Sequence, residues 1–130
     1  EWLKKTWPLL ILIIPMVVLA ILLRWKRQLL RDKVTKLTME IGMKAFQNPD
    51  EVGAACVPYL RVVGHMIYSY LFAQMAKIAL EKESSGDTFY TAKLATARFY
   101  FARLQPETAT LIRQARSGSA NLMALDADLF

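Results

Sequence analysis

His65 is the first residue to consider for chemistry, because it is the only histidine in the chain. A histidine on a helix can ligate a haem, a pigment or a metal ion, or it can relay a proton. Arg61 and Ser69 lie one turn to either side of it, and neither supplies the second imidazole or carboxylate of a metal-binding pair. The pattern favours a hydrogen-bonded or stacked core histidine, with a ligand role as the alternative.

The remaining reactive residue types show no catalytic spacing. Cys56 is the only cysteine, so the chain cannot form an internal disulfide, and we interpret it as a small core residue. Glu81 and Glu83 end a predicted helix, which is typical of a solvated helix end and not of an acid–base pair. The glycines are scattered and form no phosphate-binding loop. We therefore predict no catalytic residue, no metal site and no cofactor.

An apolar run near the N-terminus dominates the chain. From Trp7 to Leu23 no residue is charged, and about 17 helical residues span roughly 26 Å, close to the hydrocarbon thickness of a bilayer. Tryptophan rings and basic side chains flank the run, as at membrane interfaces. We predict that residues 1–27 form a transmembrane anchor, the alternative being a helix buried in a soluble core. The predicted membrane-interface residues are Trp7, Trp25, Arg24, Lys26 and Arg27.

The basic charge of the chain is concentrated beside this run. The net charge is +6, and up to Lys36 there are eight basic and two acidic residues, whereas nine of each sign follow. This distribution fits anionic lipid headgroups and excludes a basic nucleic-acid-binding face on the folded domain. Basic residues are more numerous after the run than before it, which predicts an outside N-terminus. The domain would then face the cytoplasm or matrix at a bacterial or organellar inner membrane.

Residues 28–130 have the periodicity of helices and no strand pattern. Apolar residues at positions 30, 34, 37, 41 and 45 form the stripe of an amphipathic helix, continuous with the apolar run and ended by Pro49. A short helical turn before Pro58 precedes a long central helix from about Tyr59 to Lys82. Its polar residues make a second membrane span costly, although that alternative exists.

A polar connection leads from the central helix to a further helix. Ser85 or Asp87 can cap this helix, which begins near Thr88. Pro106 should kink or restart it, and Ser117-Gly118 should end it. The apolar tail could pack back on the bundle. The predicted fold is all-α, with one N-terminal transmembrane helix continuing into a small soluble bundle of about three long helices.

Aromatic residues in this bundle exceed what one small core can hold. We therefore expect part of the apolar surface to meet a partner, since aromatic residues commonly anchor interfaces. The predicted partner-binding residues are Tyr68, Tyr70, Phe72, Phe99, Tyr100 and Phe130.

Four stretches resemble one known family. They are NPDEVGAACVPYL (48–60), YLFAQMAKIAL (70–80), FYTAKLATARFYFARLQPETATL (89–111) and SGSANLMALDADLF (117–130). Together they look like the C-terminal helical domain of large bacterial-type acyl-CoA dehydrogenases, over about Val34 to Phe130. The resemblance implies a helical extension that packs on a flavoprotein core and shapes subunit contacts. In the family that core lies upstream, where this chain has the apolar run, and no catalytic glutamate maps onto it.

Two functional hypotheses follow. The first is a non-catalytic, single-span accessory or assembly subunit of a respiratory- or photosynthetic-type membrane complex, with other subunits and anionic lipid as partners. The alternative is the C-terminal part of a membrane-bound, FAD-dependent acyl-CoA dehydrogenase of fatty-acid oxidation. The sequence leaves the enzyme question open and favours the non-catalytic protein.

Overall fold

The chain folds into four α-helices. The computed structural model describes residues 2–122 and 124–129, with side chains at 18, 21, 22, 24 and 25 and from 28 onward except 123, 127 and 130. The helices are α1 (Trp2–Ala45), α2 (Asp50–Glu81), α3 (Thr88–Phe99) and α4 (Thr108–Arg116). No strand occurs in the described residues, so the all-α prediction is confirmed.

Helix α1 is one continuous element of 44 residues, as the lack of a breaker between the apolar run and residue 28 predicted. On the evidence of the described residues, none of the helices is both long enough and apolar enough to cross a membrane. Most side chains of the predicted span from Trp7 to Leu23 lie outside those residues.

The main core lies where α1 and α2 pack together as an antiparallel hairpin. The predicted stripe of α1 faces inward, and Leu37 is fully buried together with Val62 of α2. Helix α4 covers this pair with Leu111 and Ile112. A spacing of four, three and four residues keeps the buried positions of α1 on one side of the helix, which is why the sequence predicted this face correctly.

Pro58 lies inside α2, and the prediction that the long helix starts after it is wrong. A proline in a helix interior removes one backbone hydrogen bond and strains the preceding turn, at a cost of about 3 kcal/mol. Here Ala55 and Val62, on either side of Pro58, are both buried against the other helices. Burial on both sides holds the backbone helical, so tertiary packing outweighs the local preference.

A second, smaller core joins the C-terminal half of α2 to α3. Ala76 and Ala79 pack on Leu94 and Ala97, and their small side chains allow the two helices to approach closely. Asp87 caps α3 as predicted, its carboxylate accepting from the Phe89 N–H over 2.9 Å.

The chain between α3 and α4 changes its helical pitch. A π-helical turn, Tyr100–Leu104, is followed by a 3₁₀ turn, Gln105–Glu107, which contains Pro106. The predicted interruption at Pro106 is confirmed, since the helix restarts as α4 at Thr108. Tyr100 lies three residues after the buried Ala97, on the same side of the helix, and is 2% exposed.

Two further predictions about burial are wrong. Cys56 is exposed and not a core residue, because it lies one position beyond the buried Ala55 and so points away from the packed face of α2. The C-terminal tail does not pack on the bundle, since its described leucines, Leu122, Leu125 and Leu129, are each more than half exposed. Phe130 lies outside the described residues.

Candidate functional site

The polar residues of α2 meet Tyr100 at the junction of the two cores. The Tyr100 hydroxyl donates to the His65 backbone carbonyl over 3.0 Å. It also lies 3.2 Å from His65 Nδ1 and 3.4 Å from Ser69 Oγ, both of which can donate to its lone pairs. The Tyr100 hydroxyl thus forms hydrogen bonds with three groups of α2. We call the set formed by these residues and two neighbours the His65 cluster: His65, Ser69, Tyr100, Arg61 and Glu107.

Glu107 closes the cluster on its outer side. Its carboxylate pairs with the Arg61 guanidinium. The same carboxylate lies 3.5 Å from His65 Nε2, an ion pair when the imidazole is protonated. Because Arg61 and Glu107 are about half exposed, solvent screening keeps the contribution of this pair modest. The cluster joins the 3₁₀ turn before α4 to the middle of α2.

The order hydroxyl, imidazole, carboxylate resembles an acid–base relay, but the geometry does not support one. A relay needs a hydroxyl that can reach a substrate, whereas Tyr100 is 2% exposed and its single proton is already donated to a backbone carbonyl. Burial raises the pKa of Tyr100, which opposes ionisation of the phenol. The cluster holds the segment between α3 and α4 against α2, and the prediction of a hydrogen-bonded core histidine is confirmed.

Aromatic rings surround the Tyr100 side chain. Phe72 stacks on it with ring centroids 4.4 Å apart and planes 12° from parallel, and Phe101 and Tyr68 meet it edge-on. Tyr100 was predicted to bind a partner, and its burial contradicts this. Phe72 is half-buried by the same stack. Tyr100 lies three residues after Ala97, on the side of the helix that packs against α2.

Three of the other predicted partner-binding residues lie at the surface. Tyr68, Tyr70 and Phe99 are each about half exposed and accessible to a partner. Among the predicted membrane-interface residues, Arg24 and Trp25 are exposed. The side chains of Trp7, Lys26 and Arg27 lie outside the described residues.

A second polar cluster, the Glu51 clasp, joins the chain after α4 to the α1–α2 turn. Ser119 donates its backbone N–H and its hydroxyl to Glu51 Oε1, over 2.9 and 2.7 Å. Asn48 donates to the Ser119 hydroxyl oxygen over 3.2 Å. Lys44 Nζ lies 3.6 Å from Glu51 Oε2. The end of α1 and the segment after α4 therefore both contact one carboxylate at the start of α2.

The ends of α1 and α4 are linked beside this clasp. The Arg116 guanidinium donates to both carboxylate oxygens of Glu40, over 2.6 and 3.2 Å. The hydrogen bond from Arg116 lowers the pKa of Glu40. The two hydrogen bonds from Ser119, followed by the charge of Lys44, lower the pKa of Glu51. Both groups are anions held by donors, which is a structural arrangement and not that of a proton-transfer group.

Gly118 is needed for this geometry. Its φ of +79° is the left-handed conformation that ends many helices, and a Cβ there would lie 3.1 Å from a Glu51 carboxylate oxygen. The sequence predicted the helix end at this glycine, but not that the next residue turns back to bind Glu51.

Glu107 and Glu51 are the polar residues that sequence reasoning missed. Each pairs with a residue more than 40 positions away, so no local spacing indicates the contact. The available signal was the Ser117-Gly118-Ser119 sequence, which combines a helix stop with a capping side chain. Within the described part of the chain, no three histidine, cysteine or acidic residues are placed to hold a metal ion.

Comparison with known proteins identifies one relationship. The family model described as acetyl-CoA dehydrogenase C-terminal like matches residues 24–126. This region begins in the basic stretch of α1 and includes all of α2, α3 and α4. No curated protein and no solved structure gives a significant match.

Proposed function

The chain belongs to the acetyl-CoA dehydrogenase C-terminal-like family, and from this we propose that it is a non-catalytic docking module held at a membrane. In this role the bundle binds another subunit of a respiratory- or photosynthetic-type membrane complex. The module contributes an interaction surface and not a reacting group.

The proposal rests on which side chains are bonded inside the bundle and which are exposed to solvent. The reactive side chains His65, Tyr100 and Glu51 all form hydrogen bonds with other residues of the bundle. Large apolar side chains meanwhile face outward, and Tyr68, Tyr70 and Phe99 are each about half exposed. Exposed aromatic residues supply binding energy at interfaces, so these side chains are suited to contact a protein partner.

The membrane location rests on the N-terminal sequence. The uncharged run from Trp7 to Leu23 and the basic residues after it support a single span, with the bundle on the cytoplasmic or matrix side of an inner membrane. Helix α1 continues without interruption from the run into the bundle. A continuous helix would hold the bundle at a fixed distance from the bilayer.

The alternative function is the C-terminal domain of a membrane-bound, FAD-dependent acyl-CoA dehydrogenase, which the family relationship favours. Among the described residues, the N-termini of α2, α3 and α4 do not fit the pyrophosphate of FAD. A helix N-terminus binds a pyrophosphate through free backbone amides, yet α2 begins with Asp50 and Glu51, Asp87 caps α3, and Glu107 precedes α4. In the alternative, another part of a longer polypeptide would hold the flavin.

The flavin absorbance of the native protein distinguishes the two. We expect the polypeptide that contains this sequence, once extracted from the membrane and separated from other subunits, to show no flavin absorbance. Copurification of that single polypeptide with flavin would contradict the docking module and support the dehydrogenase.

A further inference from the structure

Helix α2 carries two apolar stripes on opposite sides. Ala55, Val62, Ser69 and Ala76, seven residues apart, are buried against the rest of the bundle. A second stripe lies about 180° away, since each residue advances a helix by about 100°. Alternate spacings of four and three residues define it, and we call it the outer seam: Gly53, Val57, Leu60, Gly64, Ile67, Leu71, Gln74 and Ile78.

The outer seam is apolar although no side chain in the described part of the bundle covers it. It contains no charged residue over about 39 Å of helix, whereas the solvent face of a helix is normally polar. Its five large side chains are between 51% and 70% exposed. Nearly four heptads of apolar residues at this spacing are typical of a coiled-coil contact.

Neither the backbone conformation nor the packing within one chain explains the two glycines of the seam. Both have ordinary helical conformations, and a Cβ on Gly53 or Gly64 would meet nothing within 4 Å. A glycine in a helix interior costs about 1 kcal/mol relative to alanine. The close approach of a second helix would account for glycine at these positions, because small residues let two backbones come together.

We propose that the outer seam binds the outer seam of a second copy of this chain, with the two α2 helices parallel. Gln74 determines the direction. In a parallel pair it faces the partner's Gln74, and each amide can donate to and accept from the other. In an antiparallel pair the same amide would face Val57 of the partner subunit and lack a polar partner. A single polar residue in a coiled-coil seam fixes alignment in this way.

The size of the seam determines the strength of the contact. A strip about 39 Å long and 10 Å wide gives roughly 400 Å² per copy, or about 800 Å² in total, which is below the roughly 1,200 Å² of standard specific interfaces and in the range of weak, transient contacts. The dimer is therefore weak, with a dissociation constant in the micromolar range or above. A parallel pair points both α1 helices the same way, so anchoring in one bilayer would raise the effective concentration of the partner.

Self-association of the full chain in detergent tests the proposal. At protein concentrations of tens to hundreds of micromolar, we expect light scattering to give twice the 14.8 kDa mass of one chain. Ile67→Glu should weaken the dimer at least tenfold, because two carboxylates would meet in the apolar seam. Met43→Glu is the matched control, since Met43 is an exposed apolar residue of α1 outside the seam. Its dimer should be unchanged.

Cross-linking then tests the direction. In a Cys56→Ser background, Gln74→Cys should form an intermolecular disulfide under mild oxidation, because the two positions face each other only in the parallel pair. Met43→Cys in the same background should not. A wild-type chain that stays monomeric at these concentrations overturns the proposal. So does a dimer that Ile67→Glu leaves intact, when circular dichroism shows native helicity, or a Gln74→Cys variant that does not cross-link.

Discussion

Ser119 donates both its backbone N–H and its hydroxyl to one oxygen of Glu51, a residue 68 positions earlier in the chain. These two bonds attach the segment after α4 to the first turn of α2, and so close the bundle at the end where α1 turns into α2. Gly118, immediately before Ser119, supplies the positive φ that the reversal requires.

The Glu51 clasp predicts a specific pH dependence of stability. Its hydrogen bonds with Ser119 lower the folded-state pKa of Glu51 below the ordinary glutamate value of 4.5. The stabilisation is therefore fully present above pH 4.5 and is lost as the pH falls through the folded-state pKa. Glu51→Gln should lower the melting temperature at pH 7 and reduce its decrease between pH 5 and pH 3, measured by circular dichroism in detergent.

The control for this prediction is Glu81→Gln. Glu81 lies 3.9 Å from Lys77 in an exposed pair within one helix, which contributes little to stability. Equal effects of the two substitutions at pH 7 would contradict the special role of Glu51.

The Tyr100 hydroxyl predicts a moderate stability change. Tyr100→Phe keeps the stack on Phe72 but leaves the His65 carbonyl and the Ser69 hydroxyl without their partner. The expected loss is about 1–3 kcal/mol in the free energy of unfolding. Chemical denaturation measures it, with Tyr68→Phe as the control because Tyr68 is about half exposed. A loss below about 0.5 kcal/mol, or one matched by the control, would show that Tyr100 does not join the segments.

The positive charge after the apolar run predicts the membrane orientation. Trypsin added outside sealed, right-side-out vesicles should leave the bundle intact, because the proposed topology has the bundle inside. The exposed connection that follows Lys82 is the most accessible site once detergent opens the vesicles. Cleavage there before detergent is added, in vesicles that retain a soluble internal marker, would reverse the assigned topology.

We expect the bundle to bind the complex and the N-terminal span to act only as an anchor, and this predicts the result of a domain swap. Replacing residues 9–23 with an unrelated apolar span of equal length should preserve copurification with the parent membrane complex, since the span lacks the spaced small residues that pack membrane helices tightly. The reciprocal chimera, with the native span on a foreign domain, should not copurify. The opposite pair of results would place the specificity in the span.

The helices and their ends were largely predictable from the sequence. The stripe at Leu30, Val34 and Leu37, the Asp87 cap and the stop at Gly118 depend on neighbours a few residues away, and hydrophobic periodicity and capping chemistry are local. The family resemblance also came from the sequence, and the match over residues 24–126 confirms it.

Only the tertiary structure showed which residues far apart in the sequence contact or bury one another. Pro58 stays helical because Ala55 and Val62 on either side of it are buried. Tyr100 bonds to the His65 carbonyl and stacks on Phe72 only when the two helices are packed together. Cys56 is exposed because it lies one position beyond the packed stripe. Glu51 and Glu107 find their partners only when the helices are assembled. The energies of such contacts depend on positions far apart in the chain, so they arise from the packed bundle and cannot be read from local spacing.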